Sequence, residues 1–167
     1  IVDTGFTSTG IEIRTGNVQR MLVNSTGIDV TGNVNGLAIT TTATSNIGLG
    51  TGALDSITTG DYNVGLGDSA GTAITTGSKN VAFGSVAADA ITVGGENVAI
   101  GYDALGTDTQ GSHSVAIGAS ALRTQNFTSA TNTFNTAVGS FAMYSNTTGV
   151  SNTGIGRSAL YANTTAS

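Results

Sequence analysis

The stretch Asn97-Val98-Ala99-Ile100-Gly101-Tyr102-Asp103-Ala104-Leu105 decides the fold, because its opening five residues recur along the chain. They read NIGLG from Asn46, NVGLG from Asn63, NVAFG from Asn80 and NVAIG from Asn97, then SVAIG from Ser114, NTAVG from Asn135 and NTGIG from Asn152. The start-to-start step is 17 residues throughout, except for 21 between Ser114 and Asn135. One coil therefore carries a four-residue insertion within Gln125 to Phe134. A fixed period of this size marks a solenoid, in which one supersecondary unit is stacked on its own copies.

Several positions are invariant or nearly so. The fifth is always Gly: Gly50, Gly67, Gly84, Gly101, Gly118, Gly139 and Gly156. These repeat glycines point to a backbone with positive φ, or to one approached too closely for a Cβ. The eighth is always Ala, from Ala53 to Ala159, and the third is only Gly or Ala. A second Gly column runs through Gly60, Gly77, Gly94, Gly111 and Gly149. The second and fourth positions alternate with the small third, the period-2 pattern of a strand. Val64, Leu66, Val81, Phe83, Val98, Ile100, Val115 and Ile117 are expected inside the coil, with Ala99 and its column facing out. A second short strand is expected in the segments that end at the Thr-Thr-Gly turns. The first-position Asn residues should stack into a hydrogen-bonded ladder.

The fold class is thus all-β: a parallel β-roll (β-solenoid) of seven 17-residue coils over residues 45–167, preceded by a short β module over residues 1–44. That module lacks the repeat but has alternating stretches such as Ile11-Glu12-Ile13-Arg14, and is expected to cap or connect the first coil. Stacking at about 4.8 Å per coil would make a rod roughly 34 Å long.

The NxAIG-xxAL-xxNTTG pattern, best seen from Asn135 to Gly149, resembles the head repeats of trimeric autotransporter adhesins. It is closer to the 17-residue repeats of trimeric bacteriophage tail fibres, and Val18 to Val34 resembles a β module that precedes such repeats. The resemblance implies a left-handed parallel β-roll, three chains around one axis, and a role in attachment to a host or other surface. A virion tail fibre or a bacterial cell surface, hence an extracellular location, follows from it. The small third column is expected at the contact between chains, with residues 1–44 shared among them.

Composition narrows the alternatives. The chain has no Cys, which removes disulfides, thiol catalysis and Cys-ligated zinc. Only 9% of residues are charged and the formal charge is −5, so no nucleic-acid surface is expected. No apolar run reaches the roughly 20 residues that a spanning helix needs, so no membrane insertion is expected. Residue 1 is Ile and no signal peptide is visible, which suggests a processed product or a fragment. No catalytic constellation, metal site or cofactor motif is expected. His113 is a lone turn histidine, the Asp residues are scattered over different columns, and runs such as GLGTG at Gly48 lack the spacing of a phosphate loop.

The insertion supplies the candidate recognition loop, with Asn126, Phe127 and Phe134 placed to meet a cell-surface glycan or protein receptor. Against that stands the packing of both Phe residues under their own loop or at the contact between chains. The sequons at Asn24, Asn126, Asn146 and Asn163 follow from the Asn- and Thr-rich composition. Two alternative functions remain: a subunit of another extracellular filament or sheath, and an ice- or ligand-binding solenoid presenting the Thr58, Thr75, Thr92, Thr109, Thr147 and Thr164 column.

Overall fold

The computed structural model describes the backbone of residues 11–15, 18–24, 27–30 and 45–166, with side chains for 45–166. The chain divides into two compact units, Ile1–Ile39 and Thr40–Ser167. In the first, strands β1 (Ile11–Thr15), β2 (Val18–Asn24) and β3 (Gly27–Val30) form an antiparallel sheet in the order β1-β2-β3. Ile11 pairs with Val23 and Met21 with Val30, and the register shifts between Ile13 and Arg14.

The second unit is the solenoid. Each coil contributes one three-residue strand: β4 (Ile47–Leu49), β5 (Val64–Leu66), β6 (Val81–Phe83), β7 (Val98–Ile100), β9 (Val115–Ile117), β11 (Thr136–Val138) and β12 (Thr153–Ile155). They form one parallel sheet in chain order, and every pair is in register with the repeat, so Ala82 faces Ala99 and Ala99 faces Ala116. A separate parallel pair joins β8 (Gly111–Ser112) to β10 (Thr131–Asn132) beside the insertion. Among the described residues of the other coils the Thr-Thr-Gly side forms no strand. It is held instead by axial bonds: the Thr58, Thr75 and Thr92 hydroxyls donate to the carbonyls of Thr75, Thr92 and Thr109, at 3.0 to 3.1 Å.

The strand faces are the reverse of the sequence expectation. Ala82, Ala99, Ala116 and Ala137 of the third column are fully buried inside the coil, whereas Phe83 is 52% and Ile155 69% exposed. Val64, Leu66, Val81, Val98, Ile100, Val115 and Ile117 are half-buried on the outer face. The coil is too thin for large residues on the inner face of its strand. Leu54 and Met143, at the ninth position, reach across to it: a Cβ on Gly65 would lie 2.8 Å from Leu54 Cγ, and one on Gly154 2.8 Å from Met143 Cγ. The ninth-position side chains, the eighth-position Ala residues, and Ile74 and Ile91 at the twelfth position complete the core. The third column therefore belongs to the chain's own interior and is not available for contact between chains.

Two devices key one coil to the next. The fifth-position glycines have φ between +117° and +135°, and a Cβ on Gly101 would lie 2.7 Å from the Gly118 carbonyl carbon. No side chain fits there, because the backbone of the following coil already occupies the space. The second device is the buried Asn ladder. Asn80 Nδ2 donates to Asn63 Oδ1 at 3.1 Å and to the Gly94 carbonyl at 2.9 Å, while Asn80 Oδ1 accepts from the backbone and side-chain amides of Asn97, both at 3.1 Å. The Asn column thus satisfies the backbone of a turn that has no strand partner.

Candidate recognition loop and outer faces

The insertion replaces several features of the repeat at once. In that coil the ladder Asn becomes Ser114 and the second Gly column has no member, and in it and its two neighbours the twelfth column has turned from Ile57, Ile74 and Ile91 to Asp108, Gln125 and Asn146. These changes form one buried polar network. Gln125 Nε2 donates to Asp108 Oδ2 at 2.6 Å and to Ser114 Oγ at 2.8 Å, and Gln125 Oε1 accepts from Asn135 Nδ2 at 2.8 Å. Ser114 and Thr133 share a hydrogen bond of 2.5 Å between their hydroxyls. Asp108 Oδ1 accepts from the backbone amides of Gly111 and Phe127, each at 3.0 Å. The carboxylate thereby fixes both ends of the detour, and a core position that is apolar in earlier coils becomes polar where extra backbone must be bonded.

Within the loop, Asn126 and the tip Thr128–Ala130 are exposed, and Phe127 is buried. Phe134 does not sit at the tip. It occupies the position before the ladder Asn, which is left-handed in every coil, has φ +50° there, and is exposed. Its ring tilts against His113 with centroids 5.2 Å apart. Asn126, Phe127 and Phe134 are thus not brought to one surface. Instead Phe134 continues an axial row with His113, Glu96 and Lys79, one residue per coil. Glu96 lies 3.1 Å from Lys79 Nζ and 3.1 Å from His113 Nε2. The hydrogen bond and charge of Lys79, helped by His113, hold the Glu96 carboxyl below its ordinary pKa.

The outer face of the long sheet carries the second and fourth columns. From Ile47 and Leu49 to Val138 and Ile155 every residue is apolar except Thr136 and Thr153. Ile47, Leu49, Phe83 and Ile155 are exposed and the other apolar residues half-buried. Sequence reasoning assigned these side chains to the interior because they are the larger apolar set; as a two-column outer stripe they form a continuous hydrophobic surface instead.

A different face carries a ladder at the seventh and tenth positions of the later coils. The guanidinium of Arg123 bonds the Asp103 carboxylate and lies 6.0 Å from the centroid of the Tyr144 ring, with Nη1 3.5 Å from the Tyr144 hydroxyl. Tyr144 stacks on Tyr161 at 5.2 Å and 4°, and Phe141 tilts against Tyr144 at 5.9 Å. Asp103 holds Arg123 further into its charged range. In the coil before, burial and then the charge of Asp103 raise the Asp89 carboxyl above its usual value. No signal in the 17-residue pattern announced this cluster, because the tenth column reads Asp, Thr, Asp, Gly before it reaches Arg and Tyr.

Among the described residues no group of His, Asp and Glu is placed to hold a metal ion, and no helix is long and apolar enough to cross a membrane. The Thr column donates its hydroxyls along the axis, so those donors are already engaged within the rod. Compared with known protein families, curated proteins and solved structures, the chain matches none. The architecture is a parallel β-solenoid.

Proposed function

We propose that the chain is a non-enzymatic segment of an extracellular fibre, of the trimeric phage tail fibre or surface adhesin kind, that joins a particle or cell to the surface it attaches to. The observation that carries this reading is the outer apolar stripe of the long sheet. A two-column hydrophobic face along the sheet, exposed at Ile47, Leu49, Phe83 and Ile155 and half-buried at its other apolar residues, is a surface that a solitary soluble chain normally avoids. Parallel neighbours would cover it along the whole length, matching coil to coil. The sequence resemblance points the same way, with the contact carried by Val81, Phe83, Val98, Ile100 and their columns and not by the small third column. The axial bonding through Asn, Thr and Gly gives the stiffness that a load-bearing shaft requires.

The test is the mass in solution, with and without a charge on the stripe. The parent chain is expected at three times 16.4 kDa at micromolar concentration. Ile100→Asp is expected to give a monomer that keeps its β signature, because the substituted side chain lies outside the coil, and burying an unpaired charge between chains is costly. Open-ended growth would favour a filament or sheath subunit instead. A monodisperse parent monomer would overturn the assembly.

A further inference from the structure

We infer that the ladder of Arg123, Tyr144 and Tyr161, flanked by Asp103 and Phe141, is a carbohydrate-binding surface. The repeat does not require these residues. At the same tenth position the earlier coils carry Asp55, Thr72, Asp89 and Gly106, so no packing demand selects an aromatic ring there. Phe141 stands at the left-handed seventh position, with φ +59°, where the other coils have Gly52, Ser69, Val86, Asp103, Ser120 and Ser158, so the repeat selects no aromatic ring there either. Burial does not select these rings, since Phe141 is 37% and Tyr161 44% exposed.

The cluster is rigid and chemically mixed. The two Tyr rings are held parallel, and Arg123, bonded to Asp103, lies against the Tyr144 ring, so little side-chain freedom remains to be lost on binding. Tyrosine provides a large amphipathic contact at low entropic cost. Ring edges and the tilted Phe141 offer apolar contact. The Tyr hydroxyls, the guanidinium N–H groups and the Asp103 carboxylate offer donors and acceptors beside it. That combination suits a ligand with apolar C–H faces and a rim of hydroxyls, which is a pyranose oligosaccharide. The neighbouring carboxylates of Asp89 and Asp103 and the overall charge of −5 disfavour a nucleic acid.

This names a partner for the attachment reading and rests on that reading only for the setting in which the glycan is met. The outer stripe determines assembly and the ladder determines binding, so the two ideas fail separately. The experiment applies the full chain to an array of pyranose oligosaccharides and then measures the strongest binder by titration calorimetry. At least one oligosaccharide is expected to bind. Tyr144→Ala and Tyr161→Ala should each weaken it about ten-fold, within the range of one lost aromatic contact. Tyr144→Phe, which keeps the stack, should lose less, and Tyr62→Ala, an exposed tyrosine in another column, should leave binding unchanged. Circular dichroism and the oligomeric mass of each variant should match the parent, which separates lost binding from lost fold. Absence of any saccharide binding, capture of a protein in its place, or equal loss in Tyr62→Ala overturns the assignment.

Discussion

Asn80→Ala removes one rung of the ladder from the middle of the rod, and its cost can be worked from the bonds. Four hydrogen bonds disappear: those from Nδ2 to Asn63 Oδ1 and the Gly94 carbonyl, and those accepted by Oδ1 from the two amides of Asn97. Two of the groups left behind keep another partner. Asn63 Oδ1 still accepts from the Asn80 backbone amide at 2.9 Å, and Asn97 Nδ2 still donates to the Gly111 carbonyl at 2.9 Å. The Gly94 carbonyl and the Asn97 backbone amide lose the bonds that Asn80 made to them. At about 1–3 kcal/mol for each of these two buried unsatisfied groups, the expected loss is about 2–6 kcal/mol. Asn80→Ser should cost nearly as much. Ser114 is tolerated because Gln125 and Thr133 bond it, whereas the twelfth residue of the Asn80 coil is Ile91, which donates nothing. Asn152→Ala, at a half-buried rung, should cost clearly less. The measurement is urea unfolding followed by circular dichroism at one fixed protein concentration, because assembly would otherwise shift the apparent stability. Both Asn80 variants remaining within about 0.5 kcal/mol of the parent would refute the ladder as a source of stability.

The Gly column should respond differently from glycines outside it: Gly101→Ala places a Cβ 2.7 Å from the next coil's backbone at φ +126° and is expected to cost at least about 2 kcal/mol. Gly52→Ser, with φ +69° and no neighbour nearer than 3.7 Å, should cost only about 1 kcal/mol, from the left-handed backbone alone, in the same assay. Asp89→Asn should change the pH dependence of the melting temperature. The folded-state pKa of Asp89 is raised, so the native chain holds that proton more tightly than the unfolded one, and stability falls as pH rises from the ordinary Asp value through the raised one. The variant should therefore melt above the parent at neutral pH, with the gain vanishing below the ordinary Asp range. An equal gain at every pH would mean that ionisation of Asp89 is not its source.

The coil length, the number of copies, the Asn ladder and the fifth-position Gly contacts were all legible in the sequence, because each depends on one residue type recurring at one interval. The direction of the strand was not. Alternation at Val98, Ala99 and Ile100 gives two faces without saying which is inside, and placing the larger apolar set inward reversed them. The deciding quantity was the space left by the ninth-position residues, such as Leu54 and Met143, which approach the inner face from across the coil. Left-handed backbone at Val86, Leu105, Phe134 and Met143 was equally hidden, since none of these residue types favours it. The polar network around Asp108 did leave a trace: three departures from the pattern, at Asp108, Ser114 and the missing Gly, fall next to the insertion. Read singly they look like drift, and only the bonds between Asp108, Gln125 and Ser114 join them.

Because the fifth-position glycines and the Asn rungs link each coil only to its immediate neighbours, the repeat behaves as a unit of length. Adding or deleting 17 residues recreates the same junction on either side, so genetic duplication or loss of a whole copy changes the reach of the rod by one step of about 4.8 Å and requires no repair elsewhere. A change of any other size has no such junction to re-form and must leave sideways, as the four extra residues of the fifth coil do, with their own polar support. Selection can therefore adjust reach by counting copies, and can adjust surface chemistry by lateral excursions, with neither change constraining the other.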